Sequence, residues 1–247
     1  MSQEQDYFDD QADFYDDIYQ NEEEIEFYLD LAQKSEEPVL EVGCGTGRIY
    51  LELLSKGIDV SGIDFSREML DVLEEKAEEK NLEPQVRKAD MSDFEPNRKY
   101  GLVIIPARTF LHNITLESQK STLQNIKQGL KPGGNLALNF FTPNFDVIRE
   151  EYGEPAEQTI AKDGKKYVLT YLTEIENEVE QVALVKRTLE HNDEVILDGS
   201  FRIALISKNH FELLLETTSW SDWKVYGGFD YQPLKSSDQE MVWIAEK

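Results

Sequence analysis

Apolar positions along this chain change their period several times, and the changes divide it into stretches of different texture. Residues 7–20, YFDDQADFYDDIYQ, set Tyr7, Phe8, Phe14, Tyr15, Ile18 and Tyr19 among acids at near-helical spacing. Tyr15 and Tyr19 are four apart and share a face. A second helix is predicted from about Asn21 to Gln33, with Ile25, Tyr28, Leu29 and Ala32 inward. Alternation of strands and helices then begins. PVLEVG reads as a buried strand, and GRIYLELLSKG as a helix ended by Gly57. DVSGID is a second strand. SREMLDVLEEKAEEKN is a helix with Ser66 as its N-cap and Glu68 in its first turn. QVRKAD and YGLVIIP are the third and fourth strands, ESQKSTLQNIKQGLKPGG a helix followed by a Pro-Gly-Gly turn, and NLALNFF a fifth strand. Such alternation predicts parallel strands joined by right-handed crossovers, an α/β doubly wound sheet over residues 37–141.

After Thr142 the pattern turns β-rich, with turns expected at Glu176-Asn177, at His191-Asn192-Asp193 and at Asp198-Gly199. Antiparallel strands suit this block, although NEVEQVALVKRTLE taken alone fits a helix as well as a strand. KNHFELLLETTS returns to helix, and DWKVYGGF and EMVWIAEK are two closing strands. The expected organisation is N-terminal helices plus core over 1–142, an inserted antiparallel block over 143–206 packed across one end of the main sheet, and a final helix and two strands over 207–247.

Composition narrows the function. Fifty acids against 25 lysines and arginines leave a net charge of −25 in 247 residues. That argues against phosphate-mediated binding of nucleic acid and against anionic membrane surfaces. No basic residue precedes Lys34, so the N-terminal segment is strongly acidic, either a solvated helical face or an attractor for a cationic substrate. The start of the chain has neither the basic nor the apolar stretch of a signal peptide, and no apolar run reaches the ~18 residues of a membrane span. With one cysteine, Cys44, no intrachain disulfide can form. A cytoplasmic location is expected.

The candidate chemistry centres on VLEVGCGTGRIY, residues 39–50, where Gly43, Gly45 and Gly47 alternate directly after a strand and Glu41 precedes them. A glycine-rich turn into a helix lets a ligand lie on backbone N–H groups at the carboxyl ends of the strands. Dinucleotide-binding turns use G-x-G-x-x-G; this one is tighter. With Glu41 ahead of it, it resembles motif I of the class I methyltransferases that use S-adenosylmethionine. The resemblance is supported by GIDFS at the end of the second strand, KADMSDF after the third, IIPARTFLHN after the fourth and GLKPGGNLAL before the fifth.

That resemblance implies a seven-stranded sheet, with the sixth strand between the fifth and seventh and the seventh antiparallel. It implies a small-molecule acceptor, S-adenosylmethionine as cofactor and no metal. Cofactor contacts are implied for the glycines and Thr46. Glu41 is placed on the loop or on the methionine amino group, Asp64 on the ribose hydroxyls and Phe65 beside it. Met69 is core with an edge toward the adenine, Asp90, or Asp93 close by, meets the adenine amino group, and Met91 packs on its ring; Pro106 opens the catalytic loop. Arg48 meets the methionine carboxylate or is a surface residue. Tyr15 and Tyr19 either pack together or offer ring faces to the sulfonium. Tyr15 is a catalytic candidate, as are Arg108 and His112 on the fourth-strand loop, His112 as a base because imidazole ordinarily titrates near neutrality. His191, His210 and Cys44 are given no role. Pro106-Ala107-Arg108-Thr109 lacks the Asp/Asn-Pro-Pro-aromatic motif of enzymes that methylate DNA amino groups. Two other classes share part of the pattern, a nicotinamide-dependent oxidoreductase and a non-catalytic S-adenosylmethionine-binding protein.

Overall fold

The computed structural model describes residues 3–35 and 38–247. The N-terminal segment breaks into helix α1 (Gln3–Asp10), a 3₁₀ turn (Ala12–Phe14) and helix α2 (Tyr15–Ile18). Helix α3 (Glu22–Lys34) follows, capped by the Asn21 side chain, which accepts the Glu24 N–H. Five parallel strands form the centre: β1 (Val39–Val42), β2 (Val60–Asp64), β3 (Val86–Lys88), β4 (Tyr100–Ile105) and β5 (Leu130–Phe141). Helices α4 (Tyr50–Ser55), α5 (Arg67–Glu79) and α6 (Leu116–Gly129) connect them. Ser66 caps α5 as expected, accepting the Met69 N–H. Helix α7 (Phe145–Glu150), not expected from the pattern, precedes strands β6 (Ala156–Lys162), β7 (Lys165–Asn177), β8 (Val182–His191) and β9 (Glu194–Ala204). Helix α8 (Lys208–Thr217) and strands β10 (Asp222–Tyr226) and β11 (Glu240–Glu246) close the chain.

The main sheet has the order β10-β11-β5-β4-β1-β2-β3, and β6 to β9 form a separate antiparallel sheet. The chain is thus an α/β doubly wound, Rossmann-like fold with an added antiparallel β layer. One detail of strand order is reversed from expectation. The last strand, β11, lies between β5 and β10 and runs antiparallel to both. Its centre, Met241 to Trp243, is fully buried and needs partners on each side, whereas β10 alternates toward exposure and suits an edge. The expected Pro-Gly-Gly turn is absorbed into β5, whose pairing with β4 jumps from Tyr100–Leu130 to Leu102–Asn135. Asp198-Gly199 is no turn either; it lies within β9, with Gly199 opposite Arg187. A Cβ at Gly199 would come within 2.5 Å of the Tyr7 ring, so the glycine admits α1 rather than bending the strand. The turn between β8 and β9 is Asn192-Asp193, both at positive φ, a pair of residues suited to a tight hairpin.

Three apolar clusters hold these layers. One lies between the sheet, α6 and α8 and includes Phe110, Phe140, Phe211 and Trp243. A second, on the other face, joins α3, α4 and α5 through Phe27, Tyr28, Tyr50 and Leu73. The third packs the inner face of the antiparallel sheet, with Leu169, Val185, Leu189 and Phe201, onto Tyr7, Phe8, Phe14 and Ile18 of the N-terminal segment. The antiparallel sheet and the N-terminal helices therefore meet over the carboxyl ends of β1, β2 and β4. No helix among the described residues is long and apolar enough to cross a membrane.

Candidate active site

Two adjoining cavities, of about 580 and 310 Å³, occupy that meeting place. Both are lined by Phe8, Gly43, Asp64, Phe65, Thr109 and His112. The larger extends past Tyr15, Tyr19, Gly45, Met69 and Arg108 to the antiparallel sheet. The smaller continues past Asp90, Met91 and Asn113. Asp93, close to Asp90 in sequence, lines neither cavity.

The glycine loop is built by short hydrogen bonds. Gly43 and Cys44 both donate to the Ile63 carbonyl, at 2.8 and 3.1 Å. Its three glycines divide their work. A Cβ on Gly43 would meet the Thr109 side chain at 2.4 Å, and one on Gly47 would meet Leu73 and Leu51 at 2.8 and 2.9 Å. Beside Gly45 there is open space. Gly47 therefore serves packing, while Gly43 and Gly45 face the cavity. Thr46 faces away as well. Its hydroxyl donates to Asp16 at 2.6 Å, and Lys76 spans Asp16 and the Thr46 carbonyl at 2.5 and 2.6 Å. This three-residue link ties α2 to the back of the loop.

Asp64, 6% exposed, stands where the two cavities join. It accepts the Gly45 and Ser66 N–H groups at 2.8 and 2.9 Å. Burial raises its pKa to about 6 against the pull of those backbone donors. Cofactor affinity is accordingly expected to fall as the pH drops through about 6, approaching tenfold per further pH unit. Calorimetric titration of S-adenosylmethionine at pH 7.5 and pH 5 checks this, and equal affinity at the two would refute it. Fold stability follows a different rule. The raised Asp64 pKa favours the folded state at low pH, an advantage lost as pH rises through about 6. His112, lowered to about 4 by burial, opposes this, because stability is lost as the pH falls from 6.5 toward 4.

That lowering corrects the expectation of a near-neutral base. The His112 imidazole sits edge-on to Phe8 at 5.2 Å and tilted against Phe201 at 5.4 Å, bonds the Arg202 backbone, and is neutral at pH 7. Arg108 lines the larger cavity in left-handed backbone, φ 63°, and is engaged by Glu240 through Nε at 3.0 Å and Nη2 at 2.7 Å. Glu240 in turn accepts Asn139, which accepts the Tyr28 hydroxyl at 2.7 Å, so the loop is pinned to the core. Tyr15 and Tyr19 do both pack together, ring centroids 4.6 Å apart, and line the cavity. Burial pushes the Tyr15 phenol up.

Five residues expected at the cofactor lie off the cavities. Arg48 is paired with Glu24 and bonds the Asn21 carbonyl at 3.2 Å. Glu41 is buried behind the loop, its Oε2 without a hydrogen bond and its carboxyl pushed well up by burial. Pro106 is buried, with its carbonyl accepting Thr109. Gly47 and Thr46 are the other two, for the reasons given above. The group that positions the loop after β4 was not expected at all. Glu24, 3% exposed on α3, accepts the Ala107 N–H at 2.8 Å with one oxygen and holds Arg48 with the other. An acid in the first turn of a helix reads as a cap in sequence, so nothing local marks it. Phe8 and Arg187 were missed too; an arginine between Val185 and Leu189 on the inward register of a strand was the available signal.

A buried strand-end carboxylate, a side-chain-free backbone beside open space, and a second acid with a thioether beyond it line the two cavities. The residues present fit S-adenosylmethionine. Residues 39–134 match the methyltransferase domain family. The chain is 32% identical over 105 residues to the cypemycin N-terminal methyltransferase of a Streptomyces species, covering 42% of this chain and 42% of that protein. It is 25% identical to the glycine/sarcosine N-methyltransferase of Aphanothece halophytica over 91% of this chain and 82% of that one. The structure of the CcbJ methyltransferase from Streptomyces caelestis superposes with a TM-score of 0.82 at 19% identity, over 99% of this chain and 98% of that chain. The first of these alignments spans less than half the length of its curated relative. Residues 39–134 are thus similar to the methyltransferase domain family, and the fold is that of solved S-adenosylmethionine-dependent methyltransferases.

Proposed function

We propose that the protein transfers a methyl group to the nitrogen of a small-molecule amine. The observation that carries this reading is the character of the acceptor end of the larger cavity. Its walls are aromatic rings and hydroxyls, among them Tyr15, Tyr19, Tyr152, Tyr171, Thr173 and Phe201. Of the lining carboxylates, Asp64 is held by two backbone N–H groups, and Asp238 is exposed at the rim on Asn144 and Ser236. The one imidazole there, His112, is a poor proton acceptor at pH 7. A hydroxyl acceptor needs a base in this position; an amine that enters neutral brings its own lone pair.

When bound, S-adenosylmethionine supplies a methyl group already activated by a sulfonium. The protein's share is placement and exclusion of water. Tyr15 and Tyr19 present ring faces suited to a cation. Phe8, between Phe65 at 5.4 Å and His112 at 5.2 Å, closes the cavity wall from α1. The loop from Ala107 to His112 is held at one end by Glu24 and at its arginine by Glu240, so the acceptor meets a fixed wall. Two relatives described above are named for methylation at amino groups, which supports the same reading. A cytoplasmic setting, with one reduced and buried thiol, goes with it.

The test is transfer of labelled methyl to matched panels of amines and phenols. Turnover confined to amines is the expected result, and turnover confined to phenols would overturn the proposal. Replacing His112 by glutamine is expected to lower kcat by less than about tenfold, against the ~100- to 10,000-fold due from a general base. The pH–rate profile of the wild type should show no inflection from an imidazole near 6.5, and one that disappears in His112→Gln would restore His112 as the base.

A further inference from the structure

We infer that Arg187 anchors a carboxylate of the acceptor, so that the amine methylated is one that also carries an acid group. This rests on the amine-methylation reading for the chemistry but not for the anion site itself. Arg187 lies on the inward register of β8, between buried Val185 and Leu189, and lines the larger cavity. Nη1 donates to the hydroxyl of Tyr19 and, at 3.4 Å, to that of Tyr7. Nε is inaccessible and has no hydrogen bond, and no bond among the described residues engages Nη2. The open nitrogen is therefore Nη2, which can donate a charge-assisted hydrogen bond to a carboxylate oxygen. Tyr19 and Phe201 lie 5.1 and 5.0 Å from the guanidinium carbon and hold its plane.

The lack of a counter-ion is the second part of the argument. The chain has two acids for every base, and Arg48, Arg98, Arg108 and Arg202 each pair with a carboxylate. Arg187 has no carboxylate partner among the described residues; the groups acting on it are the phenols of Tyr19 and Tyr7. A cation set into an aromatic wall without an anion is costly unless a ligand brings one. Arg108, the other guanidinium on this cavity, is already neutralised by Glu240 and does not compete. His112 and Arg187 both neighbour Phe201, so an anion on Arg187 would hold the acceptor against the fixed loop.

The test uses the full chain saturated with S-adenosylhomocysteine and labelled with ¹⁵N-arginine. The Arg187 Nε–H resonance is identified by its absence in Arg187→Lys. Acetate is expected to shift that resonance and acetamide to leave it unmoved. Equal responses to both, no response to acetate, or a response to inorganic phosphate but not acetate would each overturn the inference. In turnover, amino acids should show a KM at least 30-fold below that of their amides. Arg187→Gln should raise KM for the acids at least 30-fold more than for their amides, with Arg187→Lys between; a loss shared equally by acids and amides overturns the assignment. If acetate moves the resonance and no amine is methylated, the anion site stands and the proposed reaction fails. Amine methylation indifferent to the carboxylate has the reverse meaning.

Discussion

Replacing Asp64 by alanine is expected to weaken S-adenosylmethionine binding by roughly 100- to 1,000-fold, about 3–4 kcal/mol. The magnitude is that of two hydrogen bonds to a charged acceptor. Asp64 is the carboxylate where the two cavities join, and it also braces the glycine loop through the Gly45 N–H and the start of α5 through the Ser66 N–H. The alanine variant therefore loses both its ligand bonds and its internal ones. Asp64→Asn separates the two contributions: it keeps the shape, but its amide turns a donor toward one of the two backbone N–H groups. Calorimetric titration of both variants, with thermal melts run on the free proteins, makes the comparison. Affinity within threefold of the wild type would remove Asp64 from the cofactor site.

The second large effect concerns two glycines that look equivalent in sequence. Gly47→Ala places a methyl group 2.8 Å from Leu73 and 2.9 Å from Leu51, in backbone at φ +85°. Left-handed strain of about 1–2 kcal/mol and overpacking of about 1–3 kcal/mol add to a destabilisation of roughly 2–5 kcal/mol. For a chain of this size that lowers Tm by roughly 5–15 °C. Gly45→Ala has open space before it and incurs only the conformational strain, with Tm within about 5 °C of the wild type. Its methyl group enters the cavity instead, so cofactor affinity should fall about tenfold or more. Scanning fluorimetry and titration of the pair decide the matter. A Gly47→Ala protein as stable as the wild type would show that the loop is not pinned by Leu51 and Leu73.

The contrast between these glycines shows where sequence reading reaches its limit. G-C-G-T-G announces a tight loop after β1, because three residues without Cβ in alternate positions make sense only where backbone must turn or be approached. It does not say which glycine meets a ligand and which meets a leucine, since Leu73 lies on a different helix. Thr46 and Arg48 follow the same logic. Their place in the motif suggested a ligand, and their side chains instead hold Asp16 and Glu24 in the N-terminal helices. His112 was found by its position, but its expected protonation was wrong, because Phe8 and Phe201 arrive from α1 and β9 and exclude water from the ring.

What the sequence determined by itself is what short-range periodicity and local chemistry encode. The parallel core, Ser66 as a cap, the antiparallel character of the inserted block, the glycine loop, and acids at the tips of β2 and β3 all follow from residues within a few positions of one another. Only the tertiary structure decided how the last two strands are ordered, that Gly199 makes room for Tyr7, that Glu24 holds Ala107 across 83 positions, and that Arg187 meets Tyr19 across 168. The physical reason is that burial and counter-charge belong to the neighbourhood a side chain reaches after the layers close. Periodicity selects a face for a residue, and the choice of partner across that face is made by packing between segments far apart in the chain.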